Sequence, residues 1–167
     1  MFYYMKNVVL IGMPGAGKST IGVLLAKSLL MDFVDTDLII QKTSGKALCD
    51  IINEEGIEKF INIENNVICN EEFVNSVVAT GGSVVYGKEA MEKLKADGVT
   101  VYLKVNSDEL HSRIKNIHTR GIAMKEGQTL DSLYNERAPL YEKYADITVE
   151  CDKLSPEECV DLIIEKI

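Results

Sequence analysis

The sequence predicts an α/β fold, a parallel sheet covered by helices on both faces in three α/β/α layers, and three observations carry the prediction. Apolar β-branched runs alternate with longer segments of helical period. A chain of 167 residues suits one domain with one core, which places residues 1–167 in a single unit. A composition of 46% apolar and 26% charged residues is globular rather than disordered.

Taken in order, residues 7–11 read as the first strand and Lys18 as the start of the first helix. Residues 33–36 form the second strand, followed by helices from Asp37, Lys46 and Gly56. The third strand covers residues 76–80 and leads to a helix from Lys88. Residues 99–105 are the fourth strand, with helices from Ser107 and Gln128 after it, and residues 147–151 are the fifth. The last helix starts at Pro156, where Ser155 can cap, Pro156 suits the first helical position and Glu158 completes a capping box. Val160, Ile163, Ile164 and Ile167 then fall on one stripe that packs on the sheet.

Lys and Arg number 18 against 26 Asp and Glu, a net charge of −8, so a phosphate polyanion is repelled and no basic run offers it a local footing. No nucleic acid and no membrane partner is expected: apolar runs are strand-sized, and Met1 to Lys6 has no signal-peptide pattern. The expectation is a cytoplasmic monomer with a small-molecule substrate. Cys49, Cys69, Cys151 and Cys159 have no CxxC spacing and read as small hydrophobes or idle thiols.

Directly after the first strand stands Gly12-Met13-Pro14-Gly15-Ala16-Gly17-Lys18-Ser19-Thr20, which satisfies G-x-x-x-x-G-K-[ST] and opens a helix. Glycines let backbone N–H groups converge on phosphate oxygens, and the helix adds its positive end. Gly12, Gly15, Ala16, Gly17, Lys18, Ser19 and Thr20 therefore form an ATP cradle, with Lys18 reaching the β- and γ-phosphates and the Ser19 hydroxyl ligating Mg²⁺. A GTP-driven switch would need an N-K-x-D string, and none occurs. A small kinase remains.

Phe33-Val34-Asp35-Thr36-Asp37 ends the second strand, on the side where ligands sit in an open α/β sheet. Asp35 is placed near the metal and Asp37 beside an acceptor hydroxyl whose proton it can take, unless one of the two only caps the following helix. Gly81-Gly82-Ser83 ends the third strand, where paired glycines allow a substrate close to backbone. The least patterned segment, 118–127, reads as a mobile lid hinged at Gly121 and Gly127, and Arg120 in it can neutralise the transferring phosphoryl. Arg137 can clamp a carboxylate. His111 and His118 are taken as surface residues.

Together these strings resemble shikimate kinases, over nearly the whole length from Lys6. The resemblance implies a five-stranded parallel sheet of the nucleoside monophosphate kinase type, ordered 2-3-1-4-5. It also implies transfer of the ATP γ-phosphate to a ring hydroxyl of shikimate. It makes Lys18, Asp37 and Arg120 catalytic, Asp35 the metal-side acid and Arg113 the side chain stacking on adenine. Gly81, Gly82 and Arg137 become acceptor ligands within a site whose helices span about 37–72. One departure stands out. The family pattern G-x-x-x-F-R-x-x-E meets Gly56-Ile57-Glu58-Lys59-Phe60-Ile61-Asn62-Ile63-Glu64, so Ile61 occupies an acceptor-binding Arg position, and the third family glycine is Ser83. The departure implies either a compensating cation, such as Lys59 or Lys125, or a different hydroxylated acceptor such as homoserine. A non-catalytic ATP-binding regulatory module is the alternative from another class.

Overall fold

The computed structural model describes residues 6–115 and 121–167. Strands β1 (Asn7–Ile11), β2 (Asp32–Asp35), β3 (Ser76–Ala79), β4 (Gly98–Lys104) and β5 (Ile147–Glu150) form one parallel sheet in the order β2-β3-β1-β4-β5. The expected order and strand count are observed. Central β1 is buried along its whole length, as a strand covered on both faces must be, and its apolar run contains no alternation.

Helix α1 (Lys18–Leu29) follows the glycine loop, and α2 (Thr36–Ser44), α3 (Leu48–Glu55) and α4 (Ile57–Asn70) follow β2. A 3₁₀ turn over Val84–Tyr86, not foreseen from the sequence, connects β3 to α5 (Lys88–Asp97). Helices α6 (Ser107–Arg113) and α7 (Leu130–Tyr144) lie between β4 and β5, and α8 (Pro156–Ile164) closes the order. The predicted starts at Lys46 and Gln128 fall two residues early, because Ala47 and Thr129 occupy the extended N-cap positions. The capping box on α8 is present, with the Glu158 amide donating to Ser155 Oγ and the Ser155 amide to Glu158 Oε2.

Two apolar clusters hold these elements. The larger one joins the sheet to α1, α5, α7 and α8, with Leu10, Leu25, Leu94, Leu103 and Ile163 fully buried. The smaller one ties α2, α3 and α4 together through Ile40, Ile51 and Phe60 and reaches Ala123. On α4 the buried positions are Phe60, Glu64 and Ile68, four residues apart on one stripe. An acid thus occupies the centre of a buried helix face. All four cysteines are free thiols, and Cys151 and Cys159 are buried.

Candidate active site

The site forms at the carboxyl ends of β1, β2 and β3. Gly15 and Gly17 sit at φ 85° and 93°, where a side chain is strained, so the loop can turn its amides inward. Lys18 folds back over the loop, its Nζ donating to the carbonyls of Gly12 at 2.7 Å and Met13 at 2.9 Å. The Ser19 hydroxyl donates to Asp35 Oδ2 at 2.9 Å. Asp35 is the N-cap of α2, its Oδ1 accepting from the Asp37 amide at 3.0 Å, so capping falls to Asp35 and leaves the Asp37 side chain for other work.

Asp37 lines a cavity together with Lys18, Phe60, Gly81, Gly82 and Arg137, and the loop residues Gly15, Gly17, Ser19 and Thr20 form its other wall. Burial, assisted by the neighbouring Asp35 charge and opposed by Lys18, lifts the Asp37 carboxyl to about 6. Gly81 is needed for space: a Cβ there would lie 2.6 Å from Glu64 Oε2 and 2.8 Å from Asp37 Oδ1. Arg137 is buried, its guanidinium 5.3 Å from the Tyr86 ring centroid and its Nη2 donating to the Ala123 carbonyl at 2.6 Å. Tyr141 donates to the Gly82 carbonyl at 2.5 Å and so fixes the glycine turn against α7.

Arg113 stands apart from this cavity. Its Nη1 approaches the carbonyls of Gly15 and Ala16 at 3.4 and 3.5 Å, and it shares a second pocket with Gly15, Gly17, Thr20, Leu154 and Pro156. That pocket shares Gly15, Gly17 and Thr20 with the cavity of Asp37 but does not include Asp37 itself. Ile61 packs in the smaller apolar cluster, and the cavity wall on α4 is its neighbour Phe60. Neither suggested substitute cation joins that wall: Lys59 pairs with Glu55 at 2.5 Å on an exposed face, and Lys125 lines the adjoining pocket with Gln128 and Thr129. His111 is exposed and bonded to Asp131 at 3.0 Å. Arg120 and His118 lie outside the described residues.

Sequence reasoning passed over Glu64 and the part played by Ser83. Glu64 Oε1 accepts from Ser83 Oγ at 2.7 Å, whereas Oε2 has no hydrogen-bond partner among the described residues. Two signals were available: Glu64 matches the closing Glu of the family pattern, and on the stripe Phe60, Glu64, Ile68 an acid takes a position suited to a hydrophobe.

A phosphate cradle on β1, a buried carboxylate opposite it and an arginine facing both, on a sheet ordered 2-3-1-4-5, define a P-loop kinase for a small acceptor. The family model for shikimate kinase matches residues 14–167, and the chain belongs to the shikimate kinase family. The shikimate kinase of Thermodesulfovibrio yellowstonii is 38% identical over 165 residues, 97% of this chain and 95% of that one. Shikimate kinase 1 of Salmonella newport is 39% identical over 164 residues, covering 95% and 94% of the two chains. Among solved structures, the shikimate kinase of Acinetobacter baumannii in complex with shikimate matches with a TM-score of 0.87 at 30% identity, covering 96% of this chain and 92% of that one. The Aquifex aeolicus shikimate kinase matches with a TM-score of 0.80 at 32% identity, over 95% and 94% of the chains.

Proposed function

We propose that this protein transfers the γ-phosphate of ATP to a ring hydroxyl of shikimate. The observation that carries the reading is the single cavity that joins Lys18 and the phosphate loop to Asp37, Gly81-Gly82 and Arg137, in a chain similar to an enzyme solved with shikimate bound. Arg137 holds the acceptor carboxylate, and the Gly81-Gly82 backbone lets the ring approach Asp37. Asp37, ionised at neutral pH despite its raised pKa, takes the hydroxyl proton as the oxygen attacks the γ-phosphorus. The new P–O bond forms as the bond to the β-phosphate oxygen breaks, and ADP leaves with Lys18 compensating its charge. Arg120, which lies outside the described residues, is assigned to the same charge on the family resemblance alone.

Mg²⁺ binds through one or two protein oxygens together with water and phosphate, and the Ser19 hydroxyl and Asp35 carboxylate, already in contact, are donors of that type. When bound it would neutralise charge on the transferring phosphate.

The test is ATP consumption by purified protein with shikimate, homoserine or gluconate, using Lys18→Ala as the blank. Turnover with shikimate alone is expected. Turnover confined to homoserine or gluconate would replace the acceptor, and none with any hydroxylated acid would leave a nucleotide-binding module.

A further inference from the structure

Glu64 is 1% exposed, and its two oxygens have unequal surroundings. Oε1 is bonded to the neutral Ser83 hydroxyl, while Oε2 has no partner among the described residues. Oε2 borders the space left open by Gly81, which Asp37 Oδ1 also borders: a Cβ there would lie 2.6 Å from the first and 2.8 Å from the second. The groups that face Glu64 are Asp37 from α2, Arg137 and Tyr141 from α7, Lys18 from α1 and Ser83 from the turn after β3. Arg137 is close enough to favour the Glu64 anion, yet no ion pair joins them among the described residues, and Arg137 Nε is itself buried without a partner.

An isolated carboxylate buried with one neutral hydrogen bond is far more costly than the protonated acid in the same place. Because the opposing Asp37 adds like charge, the neutral form is the one this geometry suits. The consequence reaches Arg137. If Glu64 ionises, a second negative charge appears beside the only guanidinium that lines the described cavity, and it competes for that cation with the carboxylate of an incoming acceptor.

We propose that Glu64 is a positioning residue that works as a neutral buried acid, keeping the Arg137 charge available to the acceptor carboxylate, and that its ionisation sets the alkaline limit of acceptor binding. The raised Glu64 pKa of about 7, caused first by burial, agrees with this placement. The proposal rests on the shikimate reading only for the identity of the anion.

Two measurements test it. In the first, the KM for shikimate is followed from pH 6 to 9. In wild type it should rise several-fold above about pH 7 while the KM for ATP stays level. Glu64→Gln retains an acceptor for Ser83 and cannot ionise, so its shikimate KM should lack that rise. Ser83→Ala removes the one hydrogen bond that favours the anion, and the rise should move to higher pH. A rise of equal size and position in wild type and Glu64→Gln would overturn the proposal. The second uses protein labelled with ¹³C at the glutamate carboxyls, without acceptor. One resonance, absent from Glu64→Gln, should titrate near neutrality; titration of that resonance in the ordinary carboxylate range would overturn the proposal with no reference to turnover. Failure of shikimate to be phosphorylated would overturn the acceptor assignment alone, and the ¹³C titration would still decide the state of Glu64.

Discussion

The Ser19 hydroxyl donates to Asp35 Oδ2 at 2.9 Å, and this one bond ties the first turn of α1 to the end of β2. Asp35 serves two neighbours at once, since its other oxygen caps α2 through the Asp37 amide at 3.0 Å. One carboxylate thereby sets both the serine proposed for the metal and the helix turn that carries the proposed base.

That double attachment separates two substitutions. Asp35→Asn keeps a good N-cap but removes the charge, so stability should be nearly unchanged while the Mg²⁺ needed for half-maximal rate rises. Asp35→Ala should show the same rise and lose about 1 kcal/mol of stability with the cap. Metal titrations of activity alongside urea melts distinguish the two effects, and equal Mg²⁺ dependence in all three proteins would remove Asp35 from the metal site.

Asp37→Asn preserves size and one acceptor oxygen but cannot take a proton. General-base help is worth about 10²–10⁴ in rate, so kcat should fall by that order with the KM for ATP nearly constant. The Asp37 carboxyl is lifted to about 6, so wild-type kcat should decline as pH falls through that value. The residual rate of the Asn variant should be flat there. Steady-state rates from pH 5 to 8 provide the check, and an unchanged kcat in the Asn protein would reduce Asp37 to a positioning role.

Gly81→Ala probes the close approach from the opposite direction. The added methyl would meet Glu64 Oε2 at 2.6 Å and Asp37 Oδ1 at 2.8 Å, so both carboxyls must shift. Overpacking of this kind costs about 1–3 kcal/mol, and the KM for the acceptor should rise while the KM for ATP does not. Gly45→Ala has nothing within 4 Å of its Cβ, although its φ of 67° carries strain. It should lower stability and leave both KM values alone.

A feature of this fold is legible in the sequence to the extent that its physics is local. The phosphate loop, the strands and the Ser155 to Glu158 cap were legible because each rests on spacing within a few residues. The assignment of the cap to Asp35 rather than Asp37 was not, since two acids two residues apart read alike until φ and ψ decide: Asp35 is extended and Asp37 helical. Glu64 was missed for another reason. Its partners Ser83, Asp37 and Arg137 come from separate elements, and the periodicity of the α4 segment alone does not say that the middle buried position on its stripe faces charges rather than apolar side chains. Ile61 shows the converse. Matching a motif position marked it as an acceptor contact, and packing puts it in the smaller apolar cluster.

Ile61→Arg converts that departure into a measurement. A guanidinium extending from this half-buried position toward the acceptor would add one charge-assisted contact, about 1.5–3 kcal/mol, and should lower the shikimate KM roughly 10- to 150-fold. An acceptor that uses the apolar surface should instead lose affinity, because the cation is unpaired beside the smaller apolar cluster. The sign of the change in kcat/KM on shikimate against the best alternative acceptor separates the two.

The last prediction concerns stability rather than turnover. Glu64 has an ordinary pKa of 4.5 when unfolded and about 7 when folded, so the unfolded chain gives up this proton first as pH rises. For an acid raised in this way the folded state is favoured below 4.5, and the advantage is lost between 4.5 and about 7 as the unfolded carboxylate becomes hydrated. Glu64→Gln has no proton to lose. Its stability relative to wild type should therefore improve by about 2 kcal/mol between pH 5 and pH 8, on the basis that one pKa unit is about 1.4 kcal/mol. The comparison of the two proteins at each pH cancels the other titrating groups that both share. Urea unfolding at pH 5, 6.5 and 8 measures it, and a difference that stays constant across the three would mean that Glu64 is already ionised in the folded protein.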